Sequence, residues 1–275
     1  MQQLKLIQEV NVASTLFKGS LPKSERSDGN KPQRNEIDEN GVQIIELNRG
    51  CKRGCAFCWA DPNMQFFEVP EITRNFVQIQ GEGILYDPNL KEKIIELGKK
   101  RVNGKVVYYG LYQGFDFRLI DKEMAELFCK NRIWIINSKG KKYKGIRFAW
   151  DGGLNHEQLA KDTIEMLVSA GFQRKQIQVF CLTLWKIPYE ICEYKRKKLF
   201  EWGVKIDDCT WDTSKGILLT EKRKGIAWHN PYWTREQYEQ FRRDCRKHNQ
   251  IIGFNGYDPE FIVTNKAKSL VTYKA

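Results

Sequence analysis

Cys51, Cys55 and Cys58 place three thiols within eight residues, spaced C-x3-C-x2-C, directly after the apolar run Val42-Gln43-Ile44-Ile45-Glu46-Leu47. Thiolates on one short loop can converge on a compact metal centre, and soft sulfur ligands select iron–sulfur clusters, zinc or copper(I). Structural zinc takes four ligands, usually with a second Cys or His pair. The next cysteine here, Cys129, lies far down the chain without a partner at ligand spacing. Three ligands suit a cluster that must hold something else at its remaining position. Lys52 and Arg53 make the loop electropositive, which predicts a lowered thiol pKa and some compensation of thiolate charge.

The elements that must position this loop alternate strand and helix, the pattern of parallel βα units. Strands are predicted over Val42–Leu47, Phe76–Ile79, Lys105–Tyr109, Ile146–Trp150, Gln176–Leu184 and Val204–Asp207. Helices are predicted over Pro88–Arg101 with Ile94, Ile95 and Leu97 inward, from N-cap Asp121 to Asn131, over Asn155–Ala170 before Gly171, and over Pro188–Trp202 before Gly203. Residues 1–41 read as an extension too polar to fold alone, since Gly19–Asn40 is rich in Ser, Pro, Lys, Asn and acidic residues. Residues 212–275 read as a C-terminal helical and aromatic cap, with the aromatic, turn-forming run Ile226–Trp233 and a basic helix from N-cap Thr234 to about Asn249.

A chain of 275 residues, 41% hydrophobic and 12% aromatic, can bury a substantial core. No window is long and apolar enough to span a bilayer, and Met1-Gln2-Gln3-Leu4-Lys5 opens no secretory segment, so a cytoplasmic protein is expected. Beyond the loop, Cys129, Cys181, Cys192, Cys209 and Cys245 stand singly, as buried small hydrophobes do in a reducing compartment. The net charge of +12 and pI near 9.2 give a field that attracts polyanions. Basic clusters at Lys139–Lys144, Lys195–Lys198, Lys222–Lys224 and Arg242–Lys247 are interleaved with Tyr194, Trp202, Trp211, Trp228, Tyr232 and Trp233. Each cluster alone is compatible with a solvated face; together they also fit a nucleic-acid surface.

The cysteine loop, with Trp59 following its last thiol, resembles the radical S-adenosylmethionine (SAM) superfamily. That resemblance implies a 4Fe-4S cluster on Cys51, Cys55 and Cys58, SAM on the cluster's fourth iron, an electron donor of flavodoxin or ferredoxin type, and reductive cleavage of SAM to a 5′-deoxyadenosyl radical that takes hydrogen from a substrate. It also implies a partial (βα)6 TIM-like barrel over residues 42–211, with the site at the carboxyl ends of the strands. Gln80-Gly81-Glu82-Gly83 is similar to the family's Gly-Gly-Glu motif, with Gln80 at its first glycine, so Gly81 and Glu82 are expected at the SAM amino group. Glycine admits close approach of a ligand, and a carboxylate complements an ammonium group. By the same resemblance Gln113, Asp116 and Arg118 lie near SAM or substrate, although Asp116 and Arg118 could equally pair to fix their loop. Asp151 is expected at the ribose hydroxyls, or as a cap of the next helix. His229 reads as a proton donor or as a structural histidine. Charge favours an anionic substrate, a nucleic acid or nucleotide. The alternative is a zinc-stabilised nucleic-acid-binding protein without redox chemistry.

Overall fold

The parallel strands form where β-branched and aromatic residues run together. In the computed structural model, residues 31–55, 57–58, 60–111, 113–136, 142–143, 145–151, 153–212, 217–219 and 232–255 are described. The expectations for Trp59, Trp228, His229, Lys222–Lys224, most of Lys139–Lys144 and the first thirty residues lie outside them. The chain divides into two compact units, Met1–Phe172 and Gln173–Ala275.

The first unit contains β1 (Asn35–Ile37), β2 (Gln43–Arg49), β3 (Gln65–Phe66), β4 (Phe76–Gly81), α1 (Leu90–Lys99), β5 (Arg101–Val102), β6 (Lys105–Val106), β7 (Tyr108–Leu111), α2 (Lys122–Lys130), β8 (Ile133–Ile136), β9 (Lys142–Tyr143), β10 (Ile146–Ala149) and α3 (Glu157–Ser169). Strands β2, β4, β7 and β8 lie side by side and parallel, with Ile45 opposite Ile79 and Ile79 opposite Leu111. Ile45, Leu47, Val77, Ile79 and Tyr109 are wholly buried, as expected of parallel strands covered by helices. β10 joins through Phe148, which bridges in parallel to Phe115 just past β7. The helices cover this core with Leu90, Ile94 and Leu97 of α1, Met124 and Phe128 of α2, and Ile164 and Leu167 of α3. Asp121 caps α2, its side chain accepting from Met124 N at 2.7 Å. Ile95, expected inward, is 40% exposed. Lys93 is buried in its place, its ammonium 2.7 Å from the Asp87 carboxylate.

The second unit contains β11 (Ile177–Thr183), α4 (Tyr189–Glu201), β12 (Lys205–Asp212), β13 (Ile217–Leu219) and α5 (Arg235–Asn255). β11 and β12 pair in parallel and β13 adds antiparallel to β12. α5 docks through Tyr238, Phe241, Cys245, His248 and Ile252, a continuous buried stripe. Asn249 clasps both backbone groups of Ile206, and Tyr238 OH meets Thr210 Oγ1 at 2.9 Å.

The expected partial (βα)6 TIM-like barrel is not what forms. The strands are distributed over small sheets, and no closed barrel is found among the described residues. In the seven-stranded sheet both edges are taken by antiparallel strands, β1 on β2 and β9 on β8, so the parallel run β2-β4-β7-β8 stops there. Alternation of strand and helix is shared by open sheets and barrels. Closure needs a particular strand tilt and stagger, which the alternation does not encode.

Candidate metal and cofactor site

Each strand end of the first unit delivers one part of the site. Leaving β2, Gly50 adopts φ +84, and a Cβ there would stand 2.2 Å from the Asn63 carbonyl oxygen, so the turn requires glycine. The cysteine loop is then closed by Cys51 N donating to Asp61 O at 2.7 Å and by Cys58 N donating to Cys55 O at 2.9 Å. At the end of β4 the Gly81-Glu82-Gly83 turn lies against this loop, with Glu82 Oε2 accepting from Gly50 N at 2.7 Å. Past β7, Gln113 Oε1 accepts from Gly81 N at 2.8 Å. Asp116 caps the short turn Phe117–Leu119, holds Arg118 through two contacts of 2.9 and 2.6 Å, and faces Arg53 at 3.7 Å. Asp151 follows β10.

These loops enclose one cavity of about 120 Å³, lined by Cys51, Cys55, Cys58, Gly81, Glu82, Gln113, Asp116 and Asp151. Of the expected cluster and SAM residues that are described, all line the cavity except Arg118, whose guanidinium is engaged by Asp116. The ion-pair reading of Asp116 and Arg118 therefore describes this loop. Arg53, Phe57 and Tyr86 also line the cavity. Tyr86 went unnoticed because nothing in Ile84-Leu85-Tyr86 departs from an ordinary turn; only its place five residues past Gly81, on the strand-end loop, could have drawn attention to it.

Burial dominates the electrostatics. It pushes the Cys55 thiol up to about 12, against the pull of the Arg53 charge, with Cys58, Asp151 and Cys51 adding to the rise. Cys51 and Cys58 are raised for the same first reason. The electropositive loop expected to lower the thiols is thus outweighed: Arg53 acts in that direction, but desolvation of a thiolate costs more. Metal binding here must displace protons from neutral thiols. Burial also raises Asp116, but the Arg118 hydrogen bond and the Arg53 charge prevail and hold its carboxyl below the usual range. Glu82 is raised by burial in spite of the Gly50 hydrogen bond.

Three cysteines on one cavity are the soft donor type that a thiolate-held cluster takes. Cys51, Cys55 and Cys58 all line the cavity, which is several times the roughly 10–15 Å³ that holds one water. Among the described residues no group of three His, Cys, Asp or Glu side chains stands where it could hold a metal ion. Beside the thiols, Gly81 and Gly83 form a wall without side chains. A Cβ on Gly81 would meet Asn48 Oδ1 at 2.3 Å, and one on Gly83 would meet Cys51 Cα and Gly50 O at 3.1 Å. Asn48 Oδ1 is itself buried with no hydrogen-bond partner. Compared with known proteins, the chain matches no family model, and no curated protein matches it in sequence.

Proposed function

We propose that this chain is a radical SAM enzyme, with Cys51, Cys55 and Cys58 as ligands of a 4Fe-4S cluster. The observation that carries the reading is the convergence of the cysteine loop, the Gly81–Gly83 turn, Gln113, Asp116 and Asp151 on one cavity at the ends of parallel strands. When bound, the cluster and SAM together supply a 5′-deoxyadenosyl radical, the species that abstracts hydrogen from substrate. The chain's own task is to bind, orient and exclude water. Gly81 and Gly83 let Asn48 and the cysteine loop pack close beside the cavity, and Gln113 fixes the Gly81 amide. Asp116, kept ionised by Arg118 and Arg53, ties the loop after β7 to the cysteine loop through Arg53. Asp151 is the carboxylate suited to ribose hydroxyls.

The substrate we propose is anionic, a nucleic acid or nucleotide. Support comes from the second unit, whose sequence holds twenty Lys and Arg against twelve Asp and Glu, +8 of the chain's +12. On α5 the residues Arg243, Arg246 and Lys247 share an exposed face that ends at Phe254, 85% exposed. Arg246 and Lys247 form no ion pair among the described residues. Cations beside an exposed aromatic ring suit phosphate contact with base stacking. A reducing cytoplasm and a flavodoxin- or ferredoxin-type donor accompany the reading, and all eight cysteines are free thiols. No helix among the described residues is long and apolar enough to cross a membrane.

Anaerobic purification and reconstitution test the proposal. A brown protein that forms 5′-deoxyadenosine from SAM with dithionite is expected. A colourless protein with one tightly held zinc per chain would replace this reading with the zinc-stabilised nucleic-acid-binding one.

A further inference from the structure

The carboxylate expected to meet a ligand ammonium is instead engaged by the cysteine loop. Glu82 Oε2 accepts from Gly50 N at 2.7 Å, and Gly50 is the residue immediately before Cys51. Its carbonyl is taken at the same time by Asn48 Nδ2 at 3.0 Å. Gly50 is therefore gripped at both backbone groups while holding φ +84. On its remaining side the Asp61 and Asn63 carbonyl oxygens leave no space for a side chain.

All three residues of the β4 turn lean on this point. Gly81 abuts the Asn48 amide, Glu82 bonds the Gly50 amide, and Gly83 packs on Cys51 Cα and the Gly50 carbonyl. Asn48 is 1% exposed, so its amide works inside the structure. A hydrogen bond in a half-buried position is poorly replaced by water.

We propose that Glu82 is a positioning residue that anchors the cysteine loop through the Gly50 amide, with Asn48 as a second hook on the Gly50 carbonyl. The first thiol is thereby set relative to β4 before any metal arrives, and Glu82 contributes an acceptor oxygen more than a charge. The anchoring stands on the polypeptide alone; its consequence for metal retention rests on the radical SAM reading above.

Two measurements on the full chain separate these. In metal-free protein, hydrogen exchange of the Gly50 amide is expected to speed up at least about tenfold in Glu82→Ala. It should stay within about twofold of wild type in Glu82→Gln, whose amide oxygen still accepts. Unchanged exchange in Glu82→Ala overturns the proposal, as does equal acceleration in Glu82→Gln with near-UV circular dichroism intact. After anaerobic reconstitution, loss of iron to a chelator should be faster in Glu82→Ala and Asn48→Ala and near wild type in Glu82→Gln. Normal iron retention in Glu82→Ala with lost SAM affinity would make Glu82 a ligand contact and overturn its part in metal retention, the exchange result still deciding the anchor. Should no variant, wild type included, take up iron, the cluster reading falls and the exchange result alone decides the anchor.

Discussion

Cys55 sits deepest in the charge balance of the cavity, its thiol pushed up to about 12 by burial. Replacing it by alanine removes a soft donor without unpacking the β2 or β4 core, since its contacts are those of a loop. Cys55→Ala is expected to leave far-UV circular dichroism unchanged and to abolish 5′-deoxyadenosine formation; undiminished output from that variant would remove the cysteine from the site. His248 offers a residue-scale test unrelated to the cofactor. Its Nε2 meets Val204 O at 2.7 Å in full burial, and desolvation lowers its pKa to about 3. The unfolded chain, with histidine near 6.5, takes up a proton that the folded chain refuses. Stability is therefore complete above about pH 6.5 and is lost as pH falls toward 3, by about 1.4 kcal/mol per unit within that window. Urea denaturation at pH 7 and pH 5 should show a loss on the order of 2 kcal/mol in wild type beyond that of His248→Gln.

At the scale of elements, the turn after β4 and the cap of α2 make separate claims. A methyl group on Gly81 would press on Asn48 Oδ1 in a part of the core that cannot recede, so Gly81→Ala should cost about 1–3 kcal/mol in denaturant titration. Asp121→Ala removes the acceptor of the Met124 amide and should cost about 1 kcal/mol while leaving the cavity untouched. Helix limits were legible in the sequence where a cap marks them, because caps are local, whereas α5 runs on past the expected end near Asn249 to Asn255. Asp121, Thr234, Gly171 and Gly203 stand at or beside the ends they were expected to mark, and the two glycines take positive φ. Strand β8 was not legible. Arg132, at φ 62, turns the chain straight from α2 into Ile133-Trp134-Ile135-Ile136 with no glycine to mark the break, and a short apolar run after a helix reads equally well as more helix. The hairpin of β5 and β6 did carry a signal. Asn103-Gly104, both at positive φ, form a tight-turn pair just before the strand expected over Lys105–Tyr109, which breaks at Val107 into β6 and β7.

For the whole molecule, charge is the property with a direct readout. If the α5 face contacts a polyanion, binding of a single-stranded oligonucleotide should weaken steeply with salt. Changing Arg243, Arg246 and Lys247 together to Gln should then reduce the log–log salt slope by about 2 to 3, measured by fluorescence anisotropy. An unchanged slope would leave the face as a solvated one. The same variant should unfold as wild type does, because none of the three side chains is part of the buried stripe.

By itself the sequence determined the local chemistry: three soft donors on one loop, the glycines that turns demand, the helix ends and the positive field. Those features depend on residue type and on spacings of a few positions, which the chain carries wherever it folds. Tertiary structure alone decided how the sheets end, that burial overrides Arg53 in setting the thiols, that Arg118 is engaged by Asp116, and that Glu82 reaches back to Gly50. Each of these depends on which groups from distant segments meet and on how much water is left between them, and neither is written in neighbouring residues.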